Sequence, residues 1–164
     1  MSSCERADAD ARAVADAVDR ERCSIGAALT VVGDRWSLLV LREAFLGVRR
    51  FEEFRRYLQV PRSVLTNRLA LLVERGVLQR EPYRASGQRE RHEYRLTARG
   101  LDLYPVLVAL KTWGDEHGAA ERRGAVILTH RDCGAAVYLT LSCADGHTLT
   151  DARDVVPKPA SDMQ

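Results

Sequence analysis

Residues 61–76 read PRSVLTNRLALLVERG, and this stretch decides the fold. Pro61 is pre-set for the first turn of a helix that runs to Arg75, and Gly76 is a natural stop. At 100° per residue, Leu65, Leu69 and Leu72 share one side. Ser63, Asn67, Ala70 and Glu74 fall opposite them. Thr66 flanks the outer side, and Arg62 and Arg68 lie between the two. Short side chains at 63, 66, 67 and 70 let a backbone come close to base edges. Asn67 has the donor and acceptor for adenine, and Arg62 or Arg68 has the reach for guanine or phosphate. Alone, such a helix is equally an ordinary amphipathic surface helix. Its neighbours decide between the two.

Upstream, Ile25 to Val32 forms an apolar run that Gly33 ends. Asp34 can cap a helix from Trp36 to Phe45, ending near Gly47. A short helix, Phe51 to Leu58, places Phe51, Phe54, Tyr57 and Leu58 on one face. Val60, just before Pro61, is a poor N-cap. Downstream of Gly76 the period drops to about 2. Residues 77–81 read as a strand, Tyr83 to Gln88 as a turn around Ser86-Gly87, and Glu90 to Leu96 as the returning strand. Arg84, Arg89 and Arg91 gather about that turn. Short helices followed by a hairpin give the winged helix-turn-helix order, an α+β class that is mainly α. A basic wing of this kind lies along the minor groove or the phosphates. A hairpin charged only for solubility is the plainer alternative.

Thr97 can cap a long helix from Ala98 to about His117, bent at Pro105. Its Leu101, Tyr104, Val108 and Leu110 exceed what one short domain needs to bury. The resulting organisation is an N-terminal arm or helix over 1–22, a winged helix-turn-helix and dimerisation domain over 23–118, and a small β module over 125–156. Residues 157–164 read as a disordered tail.

The charge is unevenly spread. The net charge of +2 over 164 residues hides six acids against four arginines in residues 1–22. Residues 35–100 hold fifteen arginines, no lysine and seven glutamates, a net of +8. A localised basic surface attracts phosphate backbones through counterion release. No stretch of about 18 uncharged apolar residues is present, so no span is expected. The start, MSSCERADADARA, lacks the apolar region of a secretory signal. A cytoplasmic location follows as the expectation, with Cys4, Cys23, Cys133 and Cys143 mostly reduced.

Several segments together resemble the HxlR-type family of winged-helix regulators, relatives of the MarR group. They are Cys23, GDRWSLLVLRE (33–43), RRFEEFRR (49–56), VLTNRLALLVERG (64–76), EYRLTARG (93–100) and LYPVLVALKTWG (103–114). The resemblance spans residues 23–114. One departure is Val60, where the family usually carries a serine cap. The resemblance implies a homodimer built on helix 98–117 and the N-terminal helix. It implies two recognition helices on a palindromic duplex, repression as the usual outcome, and Cys23 as a thiol sensor of oxidants or electrophiles. A sensing role needs an exposed thiolate, and Arg20, Arg22 and a helix start lie nearby. The plainer reading of Cys23 is a small buried hydrophobe.

The tail supplies His130-x₂-Cys133 and Cys143-x₃-His147. Two turn-borne pairs at this spacing suit a tetrahedral structural zinc, or alternatively packing or a redox pair. Three functions therefore compete. They are a DNA-binding regulator, a small zinc- or thiol-dependent enzyme, and a winged helix used only for protein contacts. No Gly-rich phosphate loop, Cys-x-x-Cys or Ser/His/Asp grouping supports the enzyme. A regulator without catalysis is the expectation, with double-stranded DNA, a second copy of the chain and a small effector as partners.

Overall fold

The computed structural model describes residues 14–15, 23–84, 91–118 and 126–158. The chain divides into two compact units: residues 28–138, and residues 1–27 together with 139–164. The elements in order are α1 (Ser24–Val32), α2 (Arg35–Phe45), α3 (Phe51–Leu58), α4 (Arg62–Glu74), β1 (Leu78–Tyr83), β2 (Arg91–Leu96), α5 (Ala98–Leu101) and α6 (Tyr104–His117). After them come β3 (Leu141–Ser142), β4 (Thr148–Leu149) and a 3₁₀ turn, Ala152–Asp154. Val14 and Ala15 are helical. The rest of the expected N-terminal helix, the wing tip at Ser86-Gly87 and residues 159–164 lie outside the described residues.

The core of unit 28–138 forms where α2, α3 and α4 turn their apolar stripes inward. Leu41, Phe54, Leu65, Leu69, Leu72, Val77 and Leu78 are almost wholly buried. Each such side chain contributes roughly 1.5–3 kcal/mol on burial. Asp34 caps α2, accepting from the N–H groups of Trp36 at 3.0 Å and Ser37 at 3.1 Å. The fully buried Ser37 hydroxyl donates to the other Asp34 oxygen at 2.5 Å, so a polar group in the core is satisfied.

Two expectations near the helix-turn-helix shift. The cap position of α4 is Pro61, without a side-chain hydrogen bond. Val60 is not at the cap but buried with the core; packing, not capping, selects an apolar residue there. Tyr57 leaves the apolar face of α3 and is half exposed, with the Arg56 guanidinium 5.6 Å from its ring centroid.

The two wing strands pair antiparallel from Leu78 opposite Leu96 to Tyr83 opposite Arg91. A third segment joins them through an Arg50–Glu93 bridge, with the Tyr94 N–H donating to the Arg49 carbonyl at 2.8 Å. Thr97 ties the end of the wing to its beginning. Its N–H donates to the Val77 carbonyl at 3.1 Å and its hydroxyl to the Gly76 carbonyl at 2.6 Å. The same hydroxyl accepts from the Gly100 N–H at 3.0 Å, capping α5. A Cβ on Gly100 would lie 2.2 Å from the Val77 oxygen, so only glycine fits this crossing.

The helix expected to run from Ala98 to His117 is two helices, parted at Asp102–Leu103. Pro105 is the reason. It has no N–H for the carbonyl four residues back, and its ring crowds that carbonyl. It sits instead in the first turn of α6, where neither defect costs anything. Leu103, at the N-cap of α6, and Leu107 within it pack against the core, and Tyr104 stacks on Phe45 at 5.0 Å. An apolar groove of about 390 Å³ lies beside it, lined by Leu38, Phe45, Tyr104, Leu107, Val108 and Leu128.

Among the described residues beyond α6, regular pairing is sparse. Among these described residues, unit 28–138 ends in an isolated Thr129–Ala136 bridge. Residues 139–158 form the two-residue strands β3 and β4 and the 3₁₀ turn. Val137, Leu139 and Leu141, which alternate in sequence, are all exposed. No single described helix is long and apolar enough to cross a membrane.

Candidate nucleic-acid interface

The interface is built from α3, the turn after it, and α4. Gln59 closes α3 in the left-handed region at φ 49°, its N–H donating to the Arg55 carbonyl at 3.0 Å. A non-glycine residue in that region costs roughly 1–2 kcal/mol. It reverses the chain in one residue, and Val60 and Pro61 then lead straight into α4.

On α4 the expected division holds. Leu65, Leu69 and Leu72 are buried, while Ser63, Thr66, Asn67, Ala70 and Glu74 are exposed. The Thr66 hydroxyl donates back to the Arg62 carbonyl at 2.9 Å, a bond that fixes its rotamer against its own helix. Asn67 has no side-chain partner among the contacts described and offers both its amide groups outward.

The two arginines of α4 part company. Arg62 is exposed, 4.9 Å above the Phe51 ring and 3.2 Å from the Glu52 carboxylate. Exposed pairs of this kind are worth about 0–1 kcal/mol, so a phosphate can displace Glu52. Arg68 turns inward. Its Nε lies 3.2 Å from the Asp34 carboxylate, an ion pair without hydrogen-bond alignment. Sequence alone left Arg68 available to the duplex; the fold commits it to the cap of α2. Asp34 feels burial, which raises its pKa. The Ser37 hydroxyl and N–H, the Arg68 charge and the Trp36 N–H outweigh that and hold the carboxyl below its ordinary value.

Sequence reading missed Arg55 and Arg56. They occupy the last turn of α3 and line, with Glu52, Gln59, Val60 and Pro61, the groove at the start of α4. The first helix of a helix-turn-helix crosses the phosphate backbone at this place. Two basic residues in a helix's final turn were the available signal. On the wing, Arg84 and Arg91 are exposed, and Arg89 lies outside the described residues. Arg95 is spent on the wing itself, 2.7 Å from Glu81 and 2.6 Å from Glu93. Hydrogen bonding to Glu93 is the main cause of its raised pKa.

The described cysteines are not among the residues of α3, α4 or the wing strands. Cys23 precedes α1, half buried, and its sulfur accepts the Gly26 N–H at 3.4 Å. In unit 28–138, Cys133 Sγ lies 3.4 Å from His130 Nδ1. In the other unit, Cys143 Sγ lies 3.4 Å from His147 Nδ1.

A polar-faced helix held on a three-helix core, followed by a basic antiparallel hairpin, defines a winged helix-turn-helix protein. The chain belongs to the HxlR-like helix-turn-helix family, whose match covers residues 31–122. It is 46% identical over 136 residues to a helix-turn-helix-type transcriptional regulator, MT3179, of Mycobacterium tuberculosis, covering 83% of this chain and 85% of that one. Among solved structures it is similar to PA1607, assigned as a transcription factor. That likeness has a TM-score of 0.74 and 38% identity, over 85% of this chain and 96% of the other. The redox regulator HypR in its reduced form matches with a TM-score of 0.53 and 29% identity, over 60% of this chain and 97% of its own.

Proposed function

We propose that the protein is a sequence-specific, DNA-binding transcriptional regulator that acts as a homodimer on a palindromic operator. The observation that carries this reading is the exposed face of α4, where Ser63, Thr66 and Asn67 stand clear of the leucines beneath them. Asn67 reads a base edge, Arg62 reaches guanine or phosphate, and Arg84, Arg89 and Arg91 follow the backbone beside the wing. The dimer rests on α6, which leaves Tyr104, Val106, Leu110 and Trp113 exposed. A run of large apolar groups along one helix marks an association surface. Repression by occluding a promoter is the mode this reading expects, and the groove beside α6 is its place for a small effector.

Cys23 is the proposed redox input. Its sulfur occupies the N-cap position of α1, so oxidation alters the acceptor that starts the helix. The likeness to a redox regulator supports this role.

The test is an operator selected from random duplexes and titrated by fluorescence anisotropy. Affinity falls steeply with salt, and Asn67→Ala weakens the selected site about 10- to 100-fold while leaving random DNA binding unchanged. Affinity indifferent to both salt and Asn67→Ala would leave a protein-contact module in its place.

A further inference from the structure

The hairpin β3–β4 is held by very little. Its strands are two residues each, and every residue from Leu139 to Thr150 is exposed except the half-buried Leu149. A lone hairpin of this size is marginal in water. Yet its loop is closed. The Cys143 N–H donates to the His147 carbonyl at 3.0 Å, and the Gly146 N–H donates to the Cys143 carbonyl at 3.0 Å. Gly146 takes φ +82°, which its missing Cβ permits.

This closure sets three donors of different kinds around one point. Cys143 Sγ and His147 Nδ1 are 3.4 Å apart. One ligand atom from each of Cys143, Asp145 and His147 lies within 4.8 Å of the others. Sulfur and nitrogen bound to one tetrahedral ion at ~2.3 and ~2.1 Å stand about 3.6 Å apart. A thiol–imidazole hydrogen bond alone would explain the 3.4 Å pair. It gives no reason for the carboxylate to converge on the same place.

We propose that Cys143, Asp145 and His147 bind one divalent transition metal of the zinc class, and that this ion is what folds the hairpin. Thiolate, imidazole and carboxylate together select a borderline-soft ion over magnesium or calcium. Binding releases the Cys143 proton to solvent and leaves one coordination position for water or a further donor. Asp145 is the new member of the set, absent from the four residues that Cys/His spacing alone suggests.

The experiment uses the full chain, produced without a histidine tag, stripped with a chelator and titrated with Co(II) alone. The expected result is a thiolate-to-cobalt charge-transfer band that is displaced by Zn(II). Cys143→Ser abolishes the band. Asp145→Asn weakens Co(II) binding at least tenfold and Asp145→Glu restores part of the loss. Asp151→Asn, at the cap of the following 3₁₀ turn, leaves it unchanged. No band on titration, a band that survives Cys143→Ser, or equal affinity in Asp145→Asn would overturn the proposal. The Asp145→Glu arm separates loss of the donor from loss of the fold.

Discussion

The Arg68 guanidinium on α4 lies 3.2 Å from the Asp34 carboxylate that caps α2. One contact therefore ties α4 to the start of the helix beneath it. Each partner is only about two-thirds covered, so the pair itself contributes little; the cap contributes more. Asp34→Ala is expected to cost about 1–2 kcal/mol in denaturant unfolding, and Arg68→Ala about half a kcal/mol. The carboxyl titrates lower in the folded chain than in the unfolded one. Its stabilisation is therefore complete above the ordinary carboxylate value of about 3.9 and is lost as pH falls through the folded pKa. Asp34→Asn should remove that part of the acid-induced loss, read from unfolding midpoints between neutral pH and about pH 3. An unchanged acid limb would show that other groups govern it.

Gly100 sits where α5 passes the Val77 carbonyl. Gly100→Ala places a methyl 2.2 Å from that oxygen and should destabilise unit 28–138 by about 3 kcal/mol. Because Thr97 joins the same crossing, wing contacts with DNA should weaken as well. Unfolding by urea, followed by circular dichroism, measures the first effect. A loss below about 1 kcal/mol would mean that the crossing opens easily.

Arg55 and Arg56 should act as phosphate contacts. Each replaced by Ala is expected to lower the slope of log affinity against log salt by about 0.9, equally on the selected operator and on random duplex. Asn67→Ala changes affinity and leaves the slope alone. Anisotropy titrations at four salt concentrations separate the two patterns. A slope that stays at the wild-type value would take these arginines off the backbone.

Treatment with diamide should change operator affinity in the wild-type chain and not in Cys23→Ser. Cys133→Ser serves as the control, since that sulfur is exposed. An equal response in Cys23→Ser removes the sensor role.

Much of the interface was legible in the sequence because local periodicity governs it. Phe51–Leu58 was delimited as observed, and the split between Leu65/Leu69/Leu72 and Ser63/Asn67 followed from helical geometry. What escaped depends on residues distant in sequence. Arg68 meets Asp34 across 34 positions, and no helical wheel shows that contact. Val60 answers to the core, and Tyr57 to the stack with Arg56. At Pro105 the sequence shows the bend but not its extent, which is a full break between α5 and α6. Asp145 enters a donor set only once the loop has closed around Gly146.

The outward residues of α4 are exposed, while the leucines on its other side carry the core. Substitutions at Ser63 or Asn67 are thereby expected to change stability by no more than about 0.5 kcal/mol. On the proposed reading, a lineage carrying this scaffold can exchange base contacts at these positions with the folded state left nearly intact.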